Sequence, residues 1–599
     1  MTNRERAREE NKSSLYNKSM DVPETVPFSS ESIEERRLLE DLTAVERIYG
    51  STPHYEYILY PEIGMFHSPI SEWHRLVASG KGVPVASLNI EDAQEIAERD
   101  MALEKYTVPF ARDALISEGM LLKDPLEGED GELKSIVEET LRTLYRWQGT
   151  ENEPLYGSES PLGTHWWTEE ERGKIIHELR FPGDAIANYF TEVRGWGWPY
   201  YGAADSTPLT VTTTCDFIEK YTTDILSEEI RVKNTVERKT IGDSLVAAVG
   251  WIKNKLEESD VGMVEFKTPN ENGAKNQSWR DSWDSYWHED GIPPNYDKGV
   301  VSLAVQGVTH EALVSAARLY DKLSYLDNET LKSMFPNVSD VEDFDHAKFF
   351  MEEAQGIWKR ADNLKSSVVK NLYIDDGNDN GYFAMGGDYS PEDGGFRPFK
   401  VRSSEMGWII GMFDGANDGV YERTVVRNLF LKMLTMHGIR TVSKDAKNYL
   451  PGSYHNGSVW LMENGLIASK LEDRGYTRLP EQLYARNLNI SHDTGYCYEF
   501  LSGRDTKDPE INHYRIWVEE NGMKKDVIQP PQPIQSLTVA AYIRAMKMTV
   551  YRMKGLVPER AQDADKRRFE DTILASLPER LRVKPSESVM LSIKEEIGV

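Results

Sequence analysis

Two stretches of the chain mix aromatic rings, carboxylates and side-chain amides densely enough to suggest chemistry. Trp166, Trp167, Trp196, Trp198, Tyr200 and Tyr201 crowd one of them, and Trp279, Trp283, Tyr286 and Trp287 the other. Aromatic faces stack on sugar rings, while Asp, Glu, Asn, Gln and Arg hydrogen-bond hydroxyl pairs. Any one of these rings is more readily core than ligand platform, but the mixture with carboxylates in loops is harder to explain by packing. Breaking a glycosidic bond takes two carboxyl groups, one protonated as acid and one ionised as base or nucleophile. With 99 acidic residues, composition cannot choose the pair. Context narrows it to Asp281 and Asp284 in NQSWRDSWDSYWHEDG, where tryptophans could desolvate a carboxyl and hold its proton. A helix-capping or exposed aspartate would fit either position equally well.

Other chemistries leave no comparable trace. The chain lacks GxGxxG after a strand, GxxxxGK[ST], HExxH and GxSxG. The run from Asp376 to Gly381 fits the first half of a calcium loop, but the twelfth position is Gly387 where a bidentate Glu is needed. An Asx-rich turn is the better reading, and no metal or cofactor is expected. Cys215 and Cys497 are the only cysteines, too few for a disulfide framework or a CxxC zinc site.

The elements that must position such residues read as helices. Within 131–149, Leu133, Ile136, Val137, Leu141, Leu144 and Tyr145 make one apolar stripe, with Gly149 as a stop. Within 421–438, Val426, Leu429, Phe430, Met433 and His437 repeat the pattern up to Gly438. Similar segments are expected near 214–227, 237–257, 304–324, 342–370, 456–472, 535–554 and 564–582. Loops rich in Gly, Pro, Trp, Tyr and Asp lie between them, at 152–167, 194–210, 267–298, 374–404 and 447–456, where function usually sits. Strand signals are scarce and no period of 20–50 residues appears, so a parallel α/β sheet and a solenoid are both disfavoured. The expected organisation is a mobile tail over 1–30, an extension over 31–100 packing on the main body, and one large all-α unit over 101–599.

The 599 residues carry 70 Lys+Arg against 99 Asp+Glu, a formal net charge of −29. Such an acidic surface argues against binding a phosphate backbone, so no nucleic-acid partner is expected. No apolar run approaches the ~18–20 residues that span a bilayer, and MTNRERAREENKSS lacks the apolar stretch of a secretory signal. A cytoplasmic protein without a membrane partner is therefore expected. Its oligomeric state is left open.

A string of motifs in order, over roughly 105–545, resembles the catalytic domain shared by amylo-alpha-1,6-glucosidases (glycogen-debranching enzymes) and their glucoamylase-like relatives. Phe110–Ile116 (FARDALI) resembles FGRDSLI, Gly173–Arg180 resembles GKILHELR, and Tyr200–Leu209 resembles YYGSVDATPL. Asn276–Asp284 resembles NQGWKDSWD and Ser453–Trp460 resembles SYHNGSVWP, while Leu479-Pro480-Glu481 is similar to the start of LPELF. Gln306-Gly307, Arg402-Ser403 and the helix opening at Gln535 have counterparts too.

The resemblance implies an all-α (α/α)6 barrel of the six-hairpin glycosidase type, with long decorated loops and a short N-terminal extension. It also implies an inverting, exo-acting glycoside hydrolase releasing a terminal α-linked sugar, glucose by preference, from an oligosaccharide or small glucoside. Carried over residue by residue, Asp281 resembles the general acid and Glu481 the general base, with Glu499 in YEFLSG as a rival base. Arg112, Asp113, Tyr201 and Asp205 would clamp the terminal sugar, with Trp279, Trp283, His455, Asn456 and Trp460 lining the rest of the pocket. Glu178 and Arg180 fit equally well as a buried supporting ion pair. The family usually carries a β-rich domain before the barrel, and only about a hundred residues precede Arg112. A small compatible-solute glycoside (a glucosyl- or mannosyl-glycerate) or a trehalose-like disaccharide is therefore the first alternative substrate. A carbohydrate-binding protein with a decayed site is the second, disfavoured by the joint presence of Asp281, Glu481, Arg112, Asp113 and Asp205. Another (α/α)6 enzyme such as an epimerase would be expected to use paired histidines, which His177 and His455 do not by themselves suggest.

Overall fold

The structure, a computed structural model, describes residues 110–123, 131–150, 168–180, 195–511 and 535–597. Short interruptions fall at 234, 269, 271, 340, 378–380, 414, 416–417 and 556–563. Strand pairs at 59–60/65–66 and 514–520/523–529 are described as well. The expected tail over 1–30, nearly all of 31–100, and Trp166 and Trp167 lie outside the described residues.

Helices carry the fold: α1 (Ala111–Leu122), α2 (Gly131–Arg146), α3 (Ser206–Lys220), α4 (Ile241–Glu258), α5 (Leu303–Leu323) and α6 (His346–Leu372). After a 3₁₀ segment, η1 (Ser404–Met412), come α7 (Gly419–Asn428), α8 (Leu461–Asp473), α9 (Arg478–Thr494), α10 (Ser536–Met553) and α11 (Ala564–Ser576). The described strands are short and form sheets of two or three. Among the described residues no helix is long and apolar enough to cross a membrane.

Local chemistry sets several boundaries. Thr240, Ser302 and Asp345 each accept a hydrogen bond from the backbone N–H three residues on, opening α4, α5 and α6. Gly495, in the left-handed region at φ 73°, closes α9. On α6 the buried residues Phe350, Ala354, Ile357, Ala361, Leu364, Val368 and Leu372 recur at 3-4 spacing, so one face is apolar and the other wet. In contrast α10 is buried almost all round, as an inner helix must be. The inner α3 is rich in threonine, yet Thr210 and Thr214 donate to the carbonyls of Ser206 and Thr210 within the helix, so their buried hydroxyls are satisfied.

Inner elements pack in a closed ring: α1 on α3, α3 on α5, α5 on η1, η1 on α8, α8 on α10, and α10 back on α1. The first five are each followed in the chain by a return helix packed outside: α2 on α1 and α3, α4 on α3, α6 on α5, α7 on η1, α9 on α8 and α10; α11, after α10, packs on α9. Alternation of inner and outer helices gives all inner elements one direction. Their N-termini therefore share one end of the ring.

Two expectations differ from what forms. The pattern over 421–438 breaks: α7 ends at Asn428 and passes into a π-helical turn, Leu429–Met433. The segment 484–530, read as a polar stretch, holds most of α9 and an antiparallel hairpin. The apolar signal of α9 was hidden by Arg486 and Asn487, both buried. Arg486 donates to the carbonyls of Thr435 (3.1 Å) and Leu581 (2.8 Å), filling a core position with a charge.

Candidate active site

The pocket opens where the inner elements begin. It is partly open to solvent and is lined mainly by residues from four places. Phe110, Arg112 and Asp113 come from the start of α1, and Trp279 and Asp281 from the loop before α5. Tyr454, His455, Trp460 and Met462 come from the entry to α8, and Gln535 and Leu537 from the entry to α10. His177 and Glu499 complete the lining. Isolated β-bridges knit these entry loops together: Phe110 with Glu178, Glu178 with Tyr200, Arg440 with Val459, and Val459 with Leu501.

Arg112 is the pivot. It is buried, its Nε donates to Asp205 Oδ2 at 2.7 Å and its Nη1 donates to Asp281 Oδ2 at 3.0 Å. Burial works against its charge, but Asp205 and Asp281 outweigh that and hold the guanidinium more firmly protonated than usual. Asp205 is in turn the residue preceding α3, so the bond clamps the starts of α1 and α3 together.

Asp281 sits in a loop folded on its own side chains. Asn276 Nδ2 donates to the Ser282 carbonyl (2.7 Å), Ser285 Oγ shares its proton between the Arg280 carbonyl and the Ser282 carbonyl (2.8 Å), and Ser282 Oγ donates to Asp284 Oδ1 (3.0 Å). Asn456 Nδ2 reaches Asp284 from the opposite loop, bonding its backbone carbonyl at 2.9 Å. The Asp281 side chain keeps 38% of its surface exposed. Glu499, at 2%, is buried. Its chain neighbours are pinned on both sides: Thr538 Oγ1 donates to the Tyr498 carbonyl at 3.0 Å, and Leu501 exchanges backbone bonds with Val459. The Tyr454 hydroxyl donates to Glu499 Oε1, and Phe500 stacks on Trp460 with ring centres 5.6 Å apart.

His455 is buried and neutral: burial first, then the charges of Arg280 and Arg112, push its pKa well below the ordinary value. Its Nδ1 lies 2.8 Å from Ser282 Oγ. Because that hydroxyl gives its proton to Asp284, Nδ1 is the donor and Nε2 carries the lone pair. Nε2 has no partner within the protein, and the same holds for Trp279 Nε1, Arg112 Nη2 and Asp205 Oδ1, all buried. Buried polar atoms are nearly always paired. Those of Arg112, Trp279 and His455 lie along one pocket, where a polar ligand or water can pair with them.

The structure gathers some of the sequence-derived residues and separates others. Arg112, Asp113, Trp279, Asp281, His455, Trp460 and the rival base Glu499 line the pocket, and Asp205 stands behind Arg112. Tyr201 does not: its buried hydroxyl donates to the Trp147 carbonyl at 2.6 Å, bracing α2. Asn456 supports the loop through Asp284. Trp283, 70% exposed, stands outside the lining. Glu178 and Arg180 form a buried ion pair, the second of the two readings given for them. Trp196, Trp198 and Tyr200 pack on each other, Trp196 stacking on Tyr200 at 3.9 Å. The Asp376 run is only partly described; Asp376 accepts from Arg402 Nη2 at 2.9 Å, and among the described residues no His/Cys/Asp/Glu group could hold a metal.

Among the expected catalytic residues, Glu481 is the one the geometry sets apart from the pocket. It lies in the first turn of α9, a return helix that begins where α8 ends. The 13 residues of α8 carry the chain roughly 20 Å from the pocket end before α9 starts back. There Glu481, about half exposed, faces Arg552 at 3.6 Å near the C-terminal end of α10. Sequence reasoning missed Tyr454 and Gln535 as pocket residues, although both stood in segments read as motifs.

No family model matches the chain, and no curated protein matches it. Solved structures similar to it include the GH63 mannosylglycerate hydrolase from Thermus thermophilus in complex with glucose, with 13% identity, a TM-score of 0.41, and coverage of 74% of this chain and 94% of that one. The glucoamylase from Saccharomycopsis fibuligera is 11% identical with a TM-score of 0.41, covering 87% of this chain and 96% of that one. Neutral trehalase from Saccharomyces cerevisiae is 12% identical with a TM-score of 0.32, covering 80% and 68%.

Proposed function

We propose that the protein is an inverting, exo-acting glycoside hydrolase that removes a terminal α-linked sugar, glucose by preference, from an oligosaccharide or small glucoside. The carrying observation is a pocket holding Asp281 and Glu499 together with the unpartnered Arg112 Nη2, Trp279 Nε1 and His455 Nε2. The ring and its return helices are read as an (α/α)6 barrel whose fourth inner helix is wound as 3₁₀.

Exposure supports one division of the two carboxyl roles. The acid must recover a proton from solvent after each turnover and must stand where the leaving group departs, which suits the half-open Asp281. The base must hold one confined water, which suits the buried Glu499. A hydroxyl donating to a carboxylate favours its charged form, the form a base needs, and Tyr454 supplies that bond. Arg112 links binding to protonation. A sugar hydroxyl that takes over Nη1 draws the cation from Asp281, which can then carry the proton it delivers to the glycosidic oxygen. As that C–O bond breaks, Glu499 removes a proton from the water attacking the opposite face, and the anomeric configuration inverts.

The test is a panel of isomaltose, maltose, panose, trehalose and glucosylglycerate, with released sugar followed by NMR at the anomeric proton. Early β-anomer from an α-glycoside supports the reading and identifies the linkage. Early α-anomer refutes inversion, and release from no member of the panel refutes the proposed substrate class.

A further inference from the structure

Arg280 precedes Asp281 in the chain, is fully buried, and faces away from the pocket lining. Its guanidinium donates to three backbone carbonyls: Nη1 to Thr441 at 3.0 Å, and Nη2 to Ser285 at 2.9 Å and to His455 at 2.9 Å. Nε lies 3.7 Å from Glu405 Oε1. That carboxylate accepts from the Tyr286 hydroxyl (2.6 Å), Ser302 Oγ (2.9 Å) and the Ala304 N–H (2.9 Å), tying η1 to the start of α5. The main chain of Arg280 is fixed as well: its N–H donates to Ser278 Oγ and its carbonyl accepts from Ser285 Oγ. One planar fork thus meets the loop that carries Asp281 and the loop that carries His455.

We propose that Arg280 is a positioning residue which sets the distance and angle between Asp281 and the His455 wall of the pocket, so that the acid meets the glycosidic oxygen of a sugar held on the opposite side. This rests on the glycosidase reading above. Backbone carbonyls are uncharged and widely spaced, so a lysine, with a single ammonium centre, cannot reproduce a fork that satisfies three of them at once. The charge of Arg280 has a second effect on the same wall, since it helps keep His455 neutral and its Nε2 an acceptor.

The experiment compares an O-linked α-glucoside with α-glucosyl fluoride, whose leaving group departs without a proton. Arg280→Lys is expected to lower kcat on the O-glucoside about 100-fold, the cost of an ångström-scale misplacement, while KM for α-glucosyl fluoride and kcat on it stay within about threefold. Ser285→Ala removes the hydroxyl that fixes the Arg280 carbonyl and keeps the fork intact. It gives a folded second variant with the same selective loss, about three- to tenfold. Equal losses on both substrates in step with a lowered Tm would mean that Arg280 only stabilises the fold, and unchanged O-glucoside kcat in both variants would also overturn the proposal. Wild-type and Asp281→Asn proteins are run alongside: if the wild type hydrolyses neither substrate, the glycosidase reading itself fails and the proposal with it.

Discussion

Substituting the three candidate carboxylates one at a time, on two substrates, separates their roles. A positioned general acid or base contributes ~10²–10⁴-fold, so Asp281→Asn and Glu499→Gln should each cost about 3–5 kcal/mol of transition-state stabilisation on an O-glucoside. On α-glucosyl fluoride the acid is not needed. Asp281→Asn should then recover most of the wild-type rate, whereas Glu499→Gln should remain slow, because the attacking water still needs its base. For Glu481 the magnitude follows from position. It is half exposed and roughly 20 Å from the pocket by the length of α8, where one unit charge acting through water amounts to about 0.2 kcal/mol, less than a twofold change in rate. Losing its contact with Arg552 removes a partly exposed ion pair worth ~0–1 kcal/mol of stability. Initial rates by glucose release and fluoride electrode, with Tm for each variant, give the matrix. A slow Glu481→Gln with a normal Glu499→Gln would refute the placement argument. Rescue of Glu499→Gln but not Asp281→Asn by the fluoride would exchange the two roles.

Three further outcomes are expected. Arg112→Lys keeps a cation but loses the two-armed contact to Asp205 and Asp281, so KM should rise at least tenfold; Arg112→Ala, which strands both carboxylates, should lower stability by about 3–5 kcal/mol in chemical denaturation. Glu463 is buried, accepts from Trp408 Nε1 at 3.0 Å, and burial raises its pKa to about 7. The folded protein therefore keeps a proton that the unfolded chain loses above pH ~4.5, and stability falls by up to about 3 kcal/mol as pH rises from ~4.5 to 7. In Glu463→Gln that part of the slope should vanish from denaturation curves, and an unchanged slope would refute it. Trp283→Ala should leave Tm and α-glucosyl fluoride hydrolysis unchanged while raising KM for disaccharides about three- to tenfold, the equivalent of one ring contact, since Trp283 stands exposed two residues from the acid.

How legible the site was depends on where each motif met its helix. FARDALI opens α1, the YYGAADS segment runs into α3, and SYHNGSVW ends at the residue before α8, so short strings in register brought together Arg112, Asp205 and His455. LPE also opens a helix, but an outer one, and nothing in a local string says to which end of the ring its N-terminus points. Glu481 was misplaced for that reason, and Glu499 was visible only as a rival because its segment follows α9, whose periodicity is broken by the buried Arg486 and Asn487. The amphipathic outer helices were read well from spacing. Of the inner elements, α5 and α10 match the helices expected at 304–324 and 535–554, whereas α1 was not expected as a helix and η1 gives no helical period at all.

The shared direction of the inner elements also explains how so many carboxyl groups can gather around Arg112 and Arg280. Asp113, Glu405 and Glu463 lie in the first turns of α1, η1 and α8, and Asp205 immediately precedes α3. Each helix N-terminus carries a partial positive charge that favours an anion, by ~0.3–1 kcal/mol at exposed positions and up to ~2 kcal/mol when partly buried. Burial can cost more than that. At Glu405 and Glu463 it wins, and both carboxyls are held above the ordinary range despite their helix termini. Glu405 has Arg280 beside it and three donors upon it, so its residual cost is shared with the network that seats Asp281. Glu463 takes side-chain bonds from Ser404 and from Trp408 Nε1, but burial outweighs both, so it keeps its proton to about pH 7. The carboxyls at the mouth are in a different position. Asp281 remains 38% exposed and is bonded to Arg112, so solvent and a cation share the cost of placing it there. An end of the ring built from helix N-termini is thus one on which acids can be placed at graded cost, highest in the buried wall and lowest at the open mouth.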